Sequence, residues 1–351
     1  MRRIVHLTSR YRPHRGGVER HLELLNAELT RRGHRVAVIT ERYDPELAPF
    51  EGGQEDVFRL SAGRIAGLRG TGVLRFWLGL ARLLPQLWRA TIIHCHDYET
   101  FLKWFLPFKL LLPWKPVFVT FHGWEGEFPP RPSVIRSRRL VAALARANLC
   151  IGDFIPAWYG TRADAISYGC VLPSAEEGVK SARAVFVGRL APDTGLIYYL
   201  KGLDLLQRRH GIRLALDVYG EGPLAAEAQA LSQERDLDVT FHGAVPDAAK
   251  YFAKSRLAFV SGYLAILEAM VHRSLVFATY DQPLKRDYLA GLPDGLLLMA
   301  GSPEELCERL YQVLSAPDEA DRMLADAQRW AVRQTPGAMA DTYEKLWDAR
   351  A

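Results

Sequence analysis

Residues 256–289 read RLAFVSGYLAILEAMVHRSLVFATYDQPLKRDYL, and this stretch decides the fold. Leu257 to Val260 is a short apolar β-prone run, and Ser261-Gly262 breaks it. From Leu264 to Val271 the spacing puts Leu264, Leu267, Met270 and Val271 on one helical face. Ser274 to Thr279 is a second strand, rich in Leu, Val and Phe. Strand, glycine turn, helix and strand make a βαβ unit. The first N–H groups of its helix have no intrahelical partner, and the helix dipole is positive there. The turn at Gly262 and the amides of Leu264 and Ala265 therefore suit a phosphate. Glu268 lies one turn further along the same edge, where a carboxylate accepts hydrogen bonds from a ribose diol.

The same alternation runs through the rest of the chain. Strands are expected at 4–8, 35–40, 91–94, 117–121, 149–151 and 165–167, then at 184–187, 214–219 and 239–242. Helices are expected at 303–315, 318–333 and 337–349. Gly16-Gly17 precedes a helix carrying Val18, Leu22, Leu25 and Leu29 on one face. A polar loop with Arg10, Arg12, His14 and Arg15 separates those glycines from the first strand, so the three-glycine dinucleotide fingerprint is absent. The strand ends His94-Cys95-His96-Asp97 and His122-Gly123-Trp124-Glu125 place histidines where open parallel sheets bind ligands. Metal-ligand spacing is weak at His94-Cys95, because adjacent strand residues point to opposite faces.

The 351 residues suffice for two domains, half apolar and a quarter charged, the profile of a globular protein. No run approaches the ~18–20 apolar residues of a spanning helix, and Met1-Arg2-Arg3 leads into a strand rather than a signal peptide. The four cysteines are scattered without metal or redox spacing, which fits reduced thiols in a cytosolic protein. Residues 1–170 hold 25 Lys and Arg against 15 Asp and Glu, and the remainder holds 20 against 25. A basic first half invites an anionic membrane surface or a phosphorylated acceptor, and a solvated arginine-rich face explains it equally well. Arg75, Arg82 and Arg89 recur on a helix expected over 64–89 and bent at Pro85, and 101–114 is similarly apolar with Lys103 and Lys109. Core packing is the favoured explanation of both, with peripheral membrane contact as the second. No nucleic-acid-binding signature is present.

LAILEAM at 264–270 with LVFATY at 275–280, Pro-x-x-Gly-Gly-Val-Glu at 13–19 and Gly-Arg-Leu at 188–190 resemble the motifs of family-four retaining glycosyltransferases. The resemblance covers nearly the whole chain. It implies an α/β GT-B architecture, two Rossmann-like doubly wound domains facing across a cleft. An acceptor-side domain is expected at 1–170, a linker at 171–183 and a nucleotide-sugar domain at 184–330. A C-terminal helix within 331–351 is expected to return to the first domain, with Trp330 and Trp347 as anchors.

By the same resemblance Arg189 and Gly188 sit at the donor diphosphate, Gly220 belongs to a turn near the nucleobase, and Gly16 and Gly17 approach the donor phosphates. His122 contacts the transferred sugar. Apart from the resemblance, Glu125 and Glu127 offer contacts to an acceptor, and solvation explains them equally well. Two of the family's charges are missing, the lysine at Thr194 and the first glutamate at Val260; Lys201 lies too late to replace the first, and Lys285 is a candidate to restore it. The expected partners are a nucleotide diphosphate sugar and a glycan or lipid-linked acceptor, with transfer in the cytoplasm or at the inner face of the membrane. No cofactor or metal is expected, since no acidic metal motif stands out. The alternatives are a nucleotide-sugar binder without transfer, a sugar-nucleotide epimerase or glycan phosphorylase on the same fold, and a nicotinamide-dependent oxidoreductase, which the missing fingerprint disfavours.

Overall fold

The structure, a computed structural model, describes residues 1–62, 71–123, 126–172 and 180–349. The chain divides into two compact units, Met1–Ser167 with Pro336–Ala351, and Tyr168–Thr335. In the first, β1 (Arg3–Thr8), α1 (Gly17–Arg31), β2 (Arg35–Glu41), β3 (Phe50–Glu51) and β4 (Asp56–Leu60) are followed by α2 (Thr71–Arg82) and α3 (Leu84–Arg89). Then come β5 (Ile92–His96), α4 (Tyr98–Thr100), a π-helical turn, α5 (Leu106–Leu111), β6 (Val117–Phe121), α6 (Pro132–Leu144), β7 (Ala147–Ile151), α7 (Phe154–Tyr159) and β8 (Ala165–Ser167). The sheet order is β3-β4-β2-β1-β5-β6-β7-β8, parallel throughout except for β3. β5, β6 and β7 are buried along their whole length, as strands covered on both faces must be.

The second unit holds β9 (Ser181–Val187), α8 (Leu196–His210), β10 (Leu216–Tyr219), α9 (Ala225–Glu234), β11 (Val239–Gly243), β12 (Ser255–Phe259) and α10 (Tyr263–Val271). β13 (Leu275–Thr279), α11 (Pro283–Ala290), β14 (Leu298–Ala300), α12 (Pro303–Ser315) and α13 (Pro317–Ala331) complete it. Its six parallel strands run β11-β10-β9-β12-β13-β14. The chain reverses its winding between β1 and β5 in one unit and between β9 and β12 in the other. Those switch points open a crevice at the carboxyl ends of the strands.

Some sequence expectations shift. The helix expected over 64–89 is two helices that break at Leu83, with Pro85 in the first turn of α3; residues 64–70 lie outside the described part. Phe76, Leu80, Leu83 and Leu87 are core, but Leu74, Arg75, Leu78, Arg82, Trp88 and Arg89 are exposed, so the stretch serves the core on one face only. The linker at Pro173–Gly178 is likewise outside the described residues, and β9 begins at Ser181, inside the stretch assigned to the linker. Trp330 packs against Tyr168 within the second unit.

The last helix, α14 (Pro336–Asp348), belongs to the first unit, so the second is inserted between β8 and α14. It lies on α1, β7 and β8. Arg32 donates to the Gly337 carbonyl at 2.9 Å and His34 meets Glu344 at 2.7 Å. Trp347 is fully buried, and its indole N–H donates to His94 Nδ1 at 3.1 Å. Trp347→Ala is expected to cost about 3–5 kcal/mol, because it empties a packed site and orphans an imidazole nitrogen. Urea unfolding checks this; a midpoint equal to that of the parent would refute the anchoring role.

Candidate functional site

The site in the second unit grows from the loops after β9 and β12, which flank its switch point. Gly188 and Leu190 donate backbone hydrogen bonds to Tyr219 and Glu221, so the Gly-Arg-Leu turn lies directly on the Gly-Glu-Gly turn. A Cβ at Gly220, where φ is +146°, would sit 1.8 Å from the Gly188 carbonyl oxygen. The glycine at 220 is thus explained by backbone against backbone. Gly195 has φ +81° and leaves only 2.0 Å between its missing Cβ and Thr279 Oγ1, which permits the sharp entry into α8.

Arg189 stands out of this platform, largely exposed, with Nη2 2.9 Å from Asp193 Oδ2. α10 starts at Tyr263, one residue earlier than the sequence pattern gave, with Gly262 as the extended N-cap. The Tyr263 amide is taken by the Tyr288 hydroxyl at 2.7 Å, and the first intrahelical bond runs from Ile266 to the Gly262 carbonyl. Among the described residues, the amides of Leu264 and Ala265 have no acceptor within the protein and are left for an external one. Glu268 lies half-buried one turn along, four residues beyond Leu264.

Lys285 is nearly buried, its Nζ 2.6 Å from the Ser261 carbonyl and over the Tyr288 ring at 4.5 Å. Burial lowers its pKa to about 8, opposed by Asp193 and Asp281 and assisted by Arg189. Its charge lies beneath the start of α10 rather than in the open. Thr194 Oγ1 is 2.8 and 2.7 Å from the carbonyls of Arg189 and Ala191, so the residue in place of the family lysine closes its own loop. Val260 is 1% exposed and bears no carboxylate to replace the first glutamate. Lys201 is exposed on α8, and a Cβ at Gly202 beside it would meet Leu306 at 2.6 Å, so that pair serves helix packing.

In the first unit, Gly16 is the extended N-cap of α1, and a Cβ there would meet Glu19 Oε2 at 2.4 Å; Gly17 has open space. Glu19 folds back over Gly16 and accepts from His14 at 3.0 Å. His122 follows β6. Its backbone N–H donates to Asp97 Oδ1 at 3.0 Å, and its Nε2 is 2.8 Å from His96 Nδ1. His96 Nε2 is 3.0 Å from His6 Nδ1, so three imidazoles form a chain. His21 stands edge-on to His122, with ring centroids 4.9 Å apart. Asp97, with φ +70°, holds a conformation that non-glycine residues adopt at a cost, and burial raises its carboxyl pKa.

Burial also governs the histidines. It lowers His6 and His122 to about 3, and carries His21, His94 and His96 well below their ordinary value, with neighbouring imidazoles adding to the effect in His6, His21, His94 and His96. All five are neutral hydrogen-bonding groups at neutral pH. Sequence reading singled out His122 and placed His94 and His96 at a strand end. It did not find His6 and His21, which lie far apart in the chain and share no spacing rule. Glu125 lies outside the described residues; Glu127 is paired with Arg131 on the surface.

A cavity of about 290 Å³ opens beside the ends of β1 and β5, lined by Ser9, Glu41, Asp97, Glu99 and Lys103. Another, of about 450 Å³, lies at the opposite end of the sheet, lined by Lys109, Trp114, Lys115 and Arg146. Among the described residues, one group has metal-ligand spacing, His210, Cys307 and Glu308, on α8 and α12 away from the loops above. Among them, no helix is long and apolar enough to cross a membrane.

Residues 15–157 match the family model described as Glycosyltransferase Family 4, and residues 181–316 match Glycosyl transferases group 1. Among solved structures, a sucrose-phosphate synthase from Thermosynechococcus elongatus is 16% identical with a TM-score of 0.78, over 99% of this chain and all of the other. Anabaena HepE, solved with UDP-glucose, is 13% identical with a TM-score of 0.72, again over 99% and 100%. WaaG, a glycosyltransferase involved in lipopolysaccharide biosynthesis, is 16% identical with a TM-score of 0.67, over 99% of both chains. These likenesses show that the two parallel-sheet units are those of the GT-B fold. No curated protein sequence matches the chain significantly.

The neutral histidines set a pH dependence. Between about 3 and 6.5 the unfolded chain binds a proton that folded His6 refuses, so stability falls as pH drops. His21, His94, His96 and His122 add to the loss in the same direction, because burial lowers the pKa of each. Thermal melts from pH 7.5 to 5, above the range of ordinary carboxylates, test this; a flat melting temperature would contradict the buried neutral cluster.

Proposed function

The chain belongs to the group 1 glycosyltransferases with a family 4 amino-terminal domain, and from that premise we propose that it is a retaining enzyme that uses a nucleotide diphosphate sugar. The observation that carries the donor assignment is the pairing, at one switch point, of the Arg189 guanidinium with the two unclaimed amides of α10. Guanidinium geometry suits bidentate phosphate contact, and fixed donors are most effective where charge develops in the transition state. Glu268 would take the ribose hydroxyls. His122 and the Gly16-Gly17 turn would contact the transferred sugar. In the proposed same-face transfer, the bond from the anomeric carbon to the diphosphate breaks and the diphosphate leaves with the electron pair. The acceptor hydroxyl bonds to that carbon, and its proton passes to a phosphate oxygen, so no metal or added base is assigned.

Relatives of this fold include one solved with UDP-glucose and a Staphylococcus aureus TarM variant solved with α-GlcNAc-glycerol and UDP, which supports a nucleotide sugar and a hydroxyl-bearing acceptor here. The cavity beside β1 and β5 is the proposed acceptor site. A glycan or lipid-linked acceptor on the cytoplasmic side of an anionic membrane fits the basic first half of the chain. Trp88 and Trp114 meet edge to face at 5.6 Å, with Leu110 and Leu111 exposed beside Lys109 and Lys115. Aromatic and apolar groups among cations are what an interfacial surface needs.

A second reading, nucleotide-sugar binding without transfer, is favoured by the apolar Val260 and by Thr194, which remove two charges from the donor end. Nucleoside diphosphates are expected to raise the melting temperature, by about 2.7 kcal/mol of stabilisation at a hundred times the dissociation constant. Arg189→Ala is expected to weaken that binding about tenfold or more, from the loss of charge-assisted hydrogen bonds; an unchanged affinity would remove Arg189 from the site. NMR of the sugar product then reads whether the anomeric configuration is kept, and tight binding without product would support the second reading. Trp88→Asp with Trp114→Asp is expected to abolish sedimentation with anionic phospholipid vesicles while the parent pellets; equal pelleting would dismiss the membrane surface.

A further inference from the structure

The buried network of the first unit has a polarity that one residue fixes. An indole nitrogen has a hydrogen to donate and no lone pair to offer. Trp347 therefore donates to His94 Nδ1 at 3.1 Å, and His94, being neutral, must carry its own hydrogen on Nε2. That hydrogen points to Thr120 Oγ1 at 2.8 Å. Thr120 is fully buried, and its remaining partner is the Tyr343 hydroxyl at 2.9 Å, so its hydrogen goes there. Were Thr120 to accept from both sides, a buried hydroxyl hydrogen would be left undonated, at a cost of about 1–3 kcal/mol. Tyr343 then donates to His21 Nε2 at 2.8 Å. His21, with Nε2 accepting, keeps its single hydrogen on Nδ1.

We infer that Trp347 polarises a relay through His94, Thr120 and Tyr343 that holds His21 as its Nδ1–H tautomer, and that this hydrogen is a donor for an oxygen of the nucleotide sugar. The naming of the ligand rests on the proposed function; the polarity does not. His21 is the fifth residue of α1, directly after the Gly16-Gly17 turn, and its ring stands against His122. Among the described residues its Nδ1 makes no hydrogen bond within the protein. The strongly lowered pKa values of His21 and His94 agree with one hydrogen on each ring. The parallel chain His6–His96–His122 contains no donor-only group, and its far end, His6 Nε2, is buried without a partner; the end fixed by the indole is His21. Trp347, Thr120 and Tyr343 are positioning residues.

Two-bond proton–nitrogen correlation spectra of the full chain labelled with 15N-histidine read each tautomer without ligand or turnover. The parent is expected to show His94 protonated on Nε2 and His21 on Nδ1. Tyr343→Phe cuts the relay below Thr120 and is expected to release His21 to a mixture that includes Nε2–H, leaving His94 as it was. Trp347→Phe is expected to release His94 as well. A bare Nδ1 on His21 in the parent overturns the relay even if neither variant folds, and so does an unchanged His21 in folded Tyr343→Phe. A nucleotide sugar that stabilises the protein is expected to move the His21 Nδ1–H resonance; stabilisation with that resonance unmoved overturns the donor role.

Discussion

A buried imidazole with other imidazoles for neighbours has one proton to place and no anion to balance a second. His6, His21, His94, His96 and His122 meet this constraint together at the carboxyl ends of β1, β5 and β6 and on the adjoining α1. Because none can afford a charge, the hydrogen bonds between them are directional, and direction has to come from outside the cluster. For His94 and His21 it comes from an indole on the last helix. The positions of β1, β5, α1 and α14 are thus tied to a hydrogen-bond pattern that fails if any one of them shifts by more than a few tenths of an ångström.

The second unit meets a different requirement. Its task in the proposed reaction is to meet a charged leaving group, and it supplies dipoles and one exposed guanidinium rather than a buried network. The backbone contact between the turns at Gly188 and Gly220 makes this possible: two strand ends lie close enough that a single methyl group would part them. Arg189 is placed by that contact. Lys285, drawn under the start of α10 by the Ser261 carbonyl, adds positive potential without standing in the open.

Periodicity and turn chemistry made most of the architecture legible. The helix over 303–315 and the strands at 117–121 and 165–167 lie where the sequence places them, because their apolar periods are undisturbed. The short β3 and β4 were not found: Phe50–Glu51 is a two-residue exposed edge, and Asp56–Leu60 is only five residues long, with a charged residue, Arg59, at one of its buried positions. The break at Leu83 was placed two residues late because proline prefers the first turn of a helix to its interior. At the site, Arg189, Gly262 and Glu268 were legible from local motifs. The histidine relay was not, because its members come from four elements, α1, β5, β6 and α14, and only folding makes them neighbours. The absence of a lysine at Thr194 was visible in the sequence, but its replacement by a loop-closing hydroxyl needed coordinates.

The insertion of the second unit between β8 and α14 has a consequence for biosynthesis. A growing chain ordinarily completes its amino-terminal domain first. Here the sheet of the first unit emerges early from the ribosome, yet the face covered by Tyr343 and Trp347 stays bare until the last helix has been made. During that interval the nascent first unit presents histidines with unpaired nitrogens and an uncovered groove, while the inserted unit, contiguous in the chain, has everything it needs to fold. The order of maturation is therefore inverted, and the interval before α14 arrives is when a chaperone would find most to hold.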